Sequence, residues 1–178
     1  MASATPNAGH MAIQQWFEAG HLGGVITQNV DNLHQRSGLS EQQIVELHGN
    51  ATYASCLDCN RRYELDVLRE QFANNGEVAP CPFCGGLIKT ATISFGQSMP
   101  EAEMAKAQEM VESCSLFVVL GSSLTVYPAA GFPQYAKQFG ASLVIINREP
   151  TDQDGLADLV VHESIGGVMS SAVAKATG

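Results

Sequence analysis

Apolar residues recur at helical spacing early in the chain, where Met11, Ile13, Trp16 and Phe17 follow Pro6-Asn7 and Gly20 can end the segment. The β-branched run Val25-Ile26-Thr27 then predicts a short buried strand, bounded by Gly23-Gly24 and a polar turn. Further on, Glu101 to Glu112 reads as a helix, and Leu116-Phe117-Val118-Val119-Leu120 as a continuous apolar strand. Pro128 to Phe139 can hold another helix, Leu143-Val144-Ile145-Ile146 a second apolar strand, and Leu159-Val160-Val161 a shorter one. Helix alternating with apolar strand predicts an α/β fold, a Rossmann-like parallel sheet with helices on both faces.

Between Ala51 and about Ala91 the pattern breaks into cysteines, arginines and turn residues, with a helix expected from Asp66 to Asn74. This segment reads as an insert. The expected organisation is therefore residues 1–50 and 92–178 as the Rossmann-like domain and 51–91 as a separate small module.

Polar clusters sit at the carboxyl ends of the expected strands, where open α/β sheets bind ligands. Gln28-Asn29-Val30-Asp31 follows the first, Gly121-Ser122-Ser123 the next, and Asn147-Arg148-Glu149 the one after. Turn chemistry accounts for one or two polar residues in a loop, not for Gln28, Asn29, Asp31, Asn32 and His34 together. Small residues and backbone donors at Gly121-Ser122-Ser123 suit phosphate or ribose oxygens, and a carboxylate such as Glu149 at a strand end suits a ribose diol.

The chain has 178 residues and a formal charge of −9, from nine basic and eighteen acidic residues. That balance repels polyanions, so neither nucleic acid nor an anionic membrane is an expected partner, whereas a lysine-bearing segment is. No stretch approaches the ~20 apolar residues of a membrane span, and the start has no signal-peptide pattern, which makes the cytoplasm the expected compartment.

Four of the five cysteines form two tight pairs, Cys56/Cys59 and Cys81/Cys84, in the spacing C-x2-C-x21-C-x2-C. Four thiolates from two knuckles suit a closed tetrahedral zinc site with a structural role. Iron fits the same cage, and two unconnected redox pairs are the other reading of the spacing. Cys114, at the start of a buried strand, reads as a small core residue. His48, in Glu46-Leu47-His48-Gly49, is the candidate general base, because imidazole titrates near neutrality and the glycine after it lets a ligand approach the backbone.

Pro6-Asn7 with His10, TQNVDNLH, ELHG, the two cysteine pairs, SFGQSMP, GSSLTVYPAA and INRE run in this order along nearly the whole chain. In that series the chain resembles the sirtuins, NAD-dependent protein-lysine deacylases. The resemblance implies a Rossmann-type domain with a zinc-ribbon module, NAD and Zn²⁺ as cofactors, and an acyl-lysine peptide or protein as partner. It implies that Gln28, Asn29, Val30 and Asp31 line the nicotinamide and ribose pocket, with Asn29 placing the reactive ribose. His48 would take a proton from a ribose hydroxyl, and the products would be free lysine, nicotinamide and O-acyl-ADP-ribose. Ile93, Phe95, Gly96 and Val126 would contact the acyl-lysine peptide. Gly121, Ser122, Ser123, Asn147, Glu149 and Ile165 would hold the phosphates and adenosine. The family's first strand, glycine-rich phosphate loop and mobile cofactor loop have no match here, so the Rossmann domain is expected to be truncated at its N-terminus. Gln97 and Met99 replace residues that the family usually has as Glu and Leu. Two rival readings remain: a non-catalytic module that keeps zinc and peptide but binds NAD poorly, and a Rossmann protein that cleaves NAD without a protein substrate.

Overall fold

The computed structural model describes residues 4–94 and 96–177. By contacts the chain divides into two compact units, one comprising residues 27–32 and 46–99, the other residues up to 26, 33–45 and from 100 onward. The chain crosses between them within the short strands β1 (Val25–Thr27) and β2 (Ile44–Glu46), which pair with each other.

The larger unit begins with α1 (Ala8–Glu18). Asn7 starts it: its Oδ1 accepts the backbone N–H of Gly9 at 2.9 Å and of His10 at 3.2 Å, while the His10 ring returns toward the Asn7 backbone. Such reciprocal capping satisfies donors that the first helical turn leaves unpaired. A four-residue helix, α2 (Leu33–Arg36), follows β1, and its buried His34 ring lies 4.9 Å from that of His10.

The sheet of this unit is parallel, with β6 (Leu116–Leu120), β7 (Ser142–Ile146) and β8 (Leu159–Val161) in that order. Strand residues alternate between two faces. Val118, Leu120, Val144, Ile146 and Val161 join a core cluster with Ala12 and Ile13 of α1 and with Met169 and Val173 of α6 (Ile165–Thr177). Phe117, Val119, Leu143 and Ile145 join a second cluster with Leu124 and Ala157. The helix α5 (Phe132–Gln138) packs on β6 and β7 and meets α4 (Glu101–Ser113). Both faces of the sheet are thus covered, as a parallel sheet requires.

The expected helices and strands of this unit are present. Several features went unpredicted, the short α2 and β2 among them, and two others bear on the packing. β1 makes its ladder with β2 and, among the described residues, not with β6, β7 or β8. The helix α6 also escaped notice because Gly166 and Gly167 weaken its first turn on propensity, although Ile165, Val168, Met169 and Val173 repeat at helical spacing. Gly166 has a packing role, whereas a Cβ on Gly167 would meet nothing within 4 Å. A Cβ on Gly166 would stand 3.2 Å from the Ala8 Cβ, and one on Gly9 3.2 Å from Ile165 Cγ2, so small residues let α1 and α6 approach closely.

The smaller unit is built on an antiparallel sheet in the order β4 (Arg62–Glu64), β3 (Gly49–Cys56), β5 (Ile88–Thr92), with α3 (Leu65–Asn75) against it. The expected helix from Asp66 to Asn74 is α3, ended by Gly76 in the left-handed conformation. The β3–β5 register shifts between Gly49 and Ala54, a bulge beside His48. Among the described residues no helix is long and apolar enough to cross a membrane.

Candidate functional site

In the smaller unit the polar loop after β1 is tied to the segment that carries His48. Thr27 Oγ1 accepts the Asn29 N–H at 3.0 Å, the Leu47 N–H reaches the Thr27 carbonyl at 3.0 Å, and the Ala51 N–H reaches the Val30 carbonyl at 2.8 Å. His48 is half-buried, and its Nδ1 lies 3.1 Å from the Gln28 carbonyl oxygen. A carbonyl only accepts, so Nδ1 carries the proton in this bond and Nε2 keeps its lone pair in the neutral ring. The bond therefore selects the tautomer of a base. Gln28, Asn29, Val30 and Asp31 all sit on this loop, with Asn29 exposed and the other three half-buried.

The His48 carbonyl accepts the Ile93 N–H at 2.9 Å, which brings the expected peptide-binding segment onto the same residue. Gly96 lies beyond it in an exposed turn at φ +82°, while Phe95 lies outside the described residues. Gln97 proves to organise this turn, because its Oε1 accepts the Ser94 N–H at 3.2 Å and faces Lys89 Nζ at 3.4 Å.

The four cysteines of the same unit converge. Their Sγ atoms all lie within 4.8 Å of one another, with Cys56 and Cys84 at 3.4 Å and Cys59 and Cys81 at 3.7 Å. A tetrahedron of Zn–S bonds of ~2.3 Å has edges of about 3.8 Å, so the donor set fits zinc and leaves no position for water. The knuckles share one backbone design. Asn60 and Gly85, each just past a pair and each at positive φ, donate N–H to the carbonyls of Cys56 and Cys81 at 3.0 and 2.8 Å. The N–H groups of Cys56 and Cys81 in turn donate to Arg61 and Gly86. A Cβ on Gly86 would fall 2.4 Å from Asp58 Oδ2 and 2.9 Å from Cys56 Sγ, so glycine lets the knuckles close on each other. The Tyr63 hydroxyl, 3.0 Å from Cys81 Sγ, holds that thiol down at about 6. Cys84 has the backbone N–H of Gly86 in its favour, yet the sulfurs of Cys56 and Cys59 push it up to about 12. Sulfurs this close oppose one another's ionisation, and a dication among them relieves that opposition.

The larger unit gathers the remaining candidates at the carboxyl ends of β6 and β7, which run parallel with Leu120 beside Ile146. The Gly121 N–H donates to the Ile146 carbonyl at 3.0 Å, and its φ of +62° turns the chain sharply. A Cβ there would lie 2.7 Å from Ile165 Cδ1, which puts Ile165 directly against Gly121. Ser122 Oγ accepts the Leu124 N–H at 3.2 Å, leaving its O–H to donate elsewhere, and Ser123 Oγ lies 2.9 Å from Thr125 Oγ1. Asn147 Nδ2 donates to the Glu149 carbonyl at 2.7 Å, and the Asn147 carbonyl accepts a hydrogen bond from His162 Nδ1–H at 3.0 Å. His162 also faces Asp154 at 3.4 Å. Glycine, hydroxyls, an amide and an exposed carboxylate at adjacent strand ends form a set of donors and acceptors suited to a nucleotide. Val126 belongs to this unit and is exposed.

A Sir2 family model matches residues 1–128. The chain belongs to the Sir2 family. It is 54% identical over 165 residues to the NAD-dependent protein deacetylase of Rhodopseudomonas palustris, covering 93% of this chain and 65% of that protein. With the NAD-dependent protein deacetylase 2 of Streptomyces coelicolor it shares 42% identity over 93% of its length and 69% of the relative's. The chain thus spans about two thirds of the length of the curated relatives it matches. Among solved structures, a Sir2 with p53 peptide and NAD+ is similar at a TM-score of 0.87 and 33% identity, over 97% of this chain and 71% of that one. A Sir2 bound to acetylated peptide is similar at 0.89 and 32%, over 98% and 72%. The sirtuin fold expected from the motifs agrees with these likenesses, and the converging cysteines are compatible with the expected zinc module.

Within this Sir2 chain, three residues of consequence had no role in the sequence reading: Asn50, Tyr63 and His162. Each has a partner at least fifteen residues away, Asn32 for Asn50, Cys81 for Tyr63 and the Asn147 carbonyl for His162, and only the motif adjacency of Asn50 to ELHG was a signal.

Proposed function

We propose that the chain carries the NAD-dependent protein-lysine deacylase chemistry of its family, transferring the acyl group of a modified lysine to ADP-ribose and releasing nicotinamide. The observation that carries this reading is the 3.1 Å bond from His48 Nδ1 to the Gln28 carbonyl, which leaves Nε2 as a proton acceptor on the segment bonded to the Asn29 and Asp31 loop. When bound, NAD supplies the electrophilic ribose carbon and the hydroxyl that receives the acyl group. In this reading Asn29 orients the ribose, Val30 and Asp31 hold the carboxamide, and His48 takes the proton of the ribose hydroxyl as general base. Gly121, Ser122, Ser123, Asn147, Glu149 and Ile165 bind the phosphates and adenosine, while Ile93, Phe95, Gly96 and Val126 receive the acyl-lysine peptide by main-chain pairing.

Residues 51–91 serve as the zinc-ribbon module, and residues 1–50 with 92–178 as the NAD-binding domain. Zinc on Cys56, Cys59, Cys81 and Cys84 is structural, since four thiolates close its coordination. A cage of reduced thiols fits a cytoplasmic setting. The names of the deacetylases of Rhodopseudomonas palustris and Streptomyces coelicolor support the same activity.

The test is mass spectrometry of zinc-loaded protein incubated with NAD and an acetyl-lysine peptide, with His48→Ala alongside. The expected result is O-acetyl-ADP-ribose from the parent chain and a loss of about 10²-fold or more in the variant, with NAD binding largely kept. Equal turnover by His48→Ala would remove the histidine from the mechanism. Folded, zinc-loaded parent protein that yields no product would favour a module that binds peptide without catalysis.

A further inference from the structure

Asn50 follows Gly49 at the start of β3 and is 2% exposed. An asparagine side chain offers two N–H donors and two acceptor positions, and leaving any of them unpaired in the interior is costly. Here all four are used. Nδ2 donates to Glu46 Oε1 at 2.8 Å and to Asn32 Oδ1 at 3.2 Å, while Oδ1 accepts from the Thr52 N–H at 2.8 Å and the Thr52 hydroxyl at 2.6 Å. The partners lie on three segments: the end of the polar loop, the end of β2, and β3 itself. Asn32 has φ +64°, the left-handed conformation that asparagine tolerates better than most residues with a Cβ. One residue on, the Ala51 N–H bonds the Val30 carbonyl at 2.8 Å.

We propose that Asn50 is a positioning residue for the deacylation: its saturated amide locks the loop bearing Gln28, Asn29 and Asp31 to the strand that follows His48. This rests on the functional reading above, because the alignment matters only when the loop and the histidine act on one ligand. Two effects follow from it. Loosening the loop displaces Asn29 and Asp31, and it also moves the Gln28 carbonyl that selects the His48 tautomer.

The test compares Asn50→Asp with the double variant Asn50→Asp/Glu46→Gln in zinc-loaded protein. Aspartate keeps the size and the acceptors for Thr52 but sets a carboxylate oxygen against Glu46, while glutamine at 46 restores a donor across the same contact. Kinetics with NAD and an acetyl-lysine peptide, and backbone amide exchange followed by mass spectrometry, are read together. In Asn50→Asp we expect kcat/KM for NAD to fall about a hundredfold with peptide KM largely kept. Exchange over residues 28–32 and at Ala51 should accelerate while β4 and α3 stay protected, and the double variant should recover most of both. Folded Asn50→Asp with parental kinetics and exchange would overturn the proposal, as would a loss the double variant does not recover. If the parent chain shows no turnover, the functional reading fails, and exchange alone decides whether Asn50 holds the loop: unchanged protection overturns it, lost and recovered protection upholds it.

Discussion

Replacing Gly49 with alanine separates two costs that the structure superimposes at one residue. Gly49 has φ +71°, and a Cβ there would lie 2.0 Å from the Ala91 carbonyl oxygen, 3.0 Å from the Ala91 carbonyl carbon and 3.2 Å from Thr92 Cα. The left-handed conformation costs an L-residue ~1–2 kcal/mol. Restoring an ordinary C···O separation of about 3.3 Å requires a movement of about 1.3 Å between β3 and β5, and the strain of such overpacking is typically ~1–3 kcal/mol. The sum is about 2–5 kcal/mol. Gly76 provides the control, since its φ is +75° and no atom lies within 4 Å of its would-be Cβ. Gly76→Ala should therefore show only the conformational part, ~1–2 kcal/mol. Urea denaturation of the zinc-loaded protein, followed by circular dichroism, measures both variants. A movement of this size also disturbs the bond between the Ile93 N–H and the His48 carbonyl, so turnover of Gly49→Ala should fall about a hundredfold while Gly76→Ala stays near parental. Gly49→Ala no less stable than Gly76→Ala, and equally active, would refute the close approach of Gly49 to Ala91.

Zinc removal should act on the smaller unit. Chelation is expected to release one Zn²⁺ per chain and to melt β3, β4 and β5 while the helices of the larger unit persist, and exchange protection in residues 51–91 unchanged by chelator would contradict a structural metal. Acid should destabilise the larger unit through its carboxylates. Asp158 lies below the ordinary carboxylate range because of Lys137 and the Leu143 N–H, Asp154 because of the Thr151 hydroxyl, and Glu112 because of Tyr135. A group whose folded value is depressed stabilises fully above its unfolded value and loses that contribution as pH falls through the folded one, so stability should drop below about pH 4. Asp158→Asn should be less stable than the parent at pH 7 and should show a shallower acid-side decline in urea midpoint. Parallel declines would show that this pair does not set the slope.

The elements visible in advance were those whose signals are local. Asn7 and His10 cap α1 from three residues apart, the apolar runs at Leu116 and Leu143 are continuous, and each cysteine knuckle is closed by a residue next to it. Less was legible between residues 44 and 64, where β2, β3 and β4 are short, polar or bulged and owe their existence to partners rather than to periodicity. The helix α6 was hidden by Gly166 and Gly167, of which Gly166 meets α1 at Ala8.

By itself the sequence determined the alternation of helices and apolar strands, the four thiolates in paired knuckles, and the polar loops that follow the strands. Side-chain type and short-range spacing suffice for these. Only the tertiary structure decided that β1 pairs with β2, that Gly49 abuts Ala91, that His48 Nδ1–H donates to the Gln28 carbonyl, and that the amide of Asn50 is shared among Asn32, Glu46 and Thr52. Most of these contacts join residues distant along the chain. No local preference encodes them, because burial and the pairing of every interior donor and acceptor act only once the separate segments have been brought together.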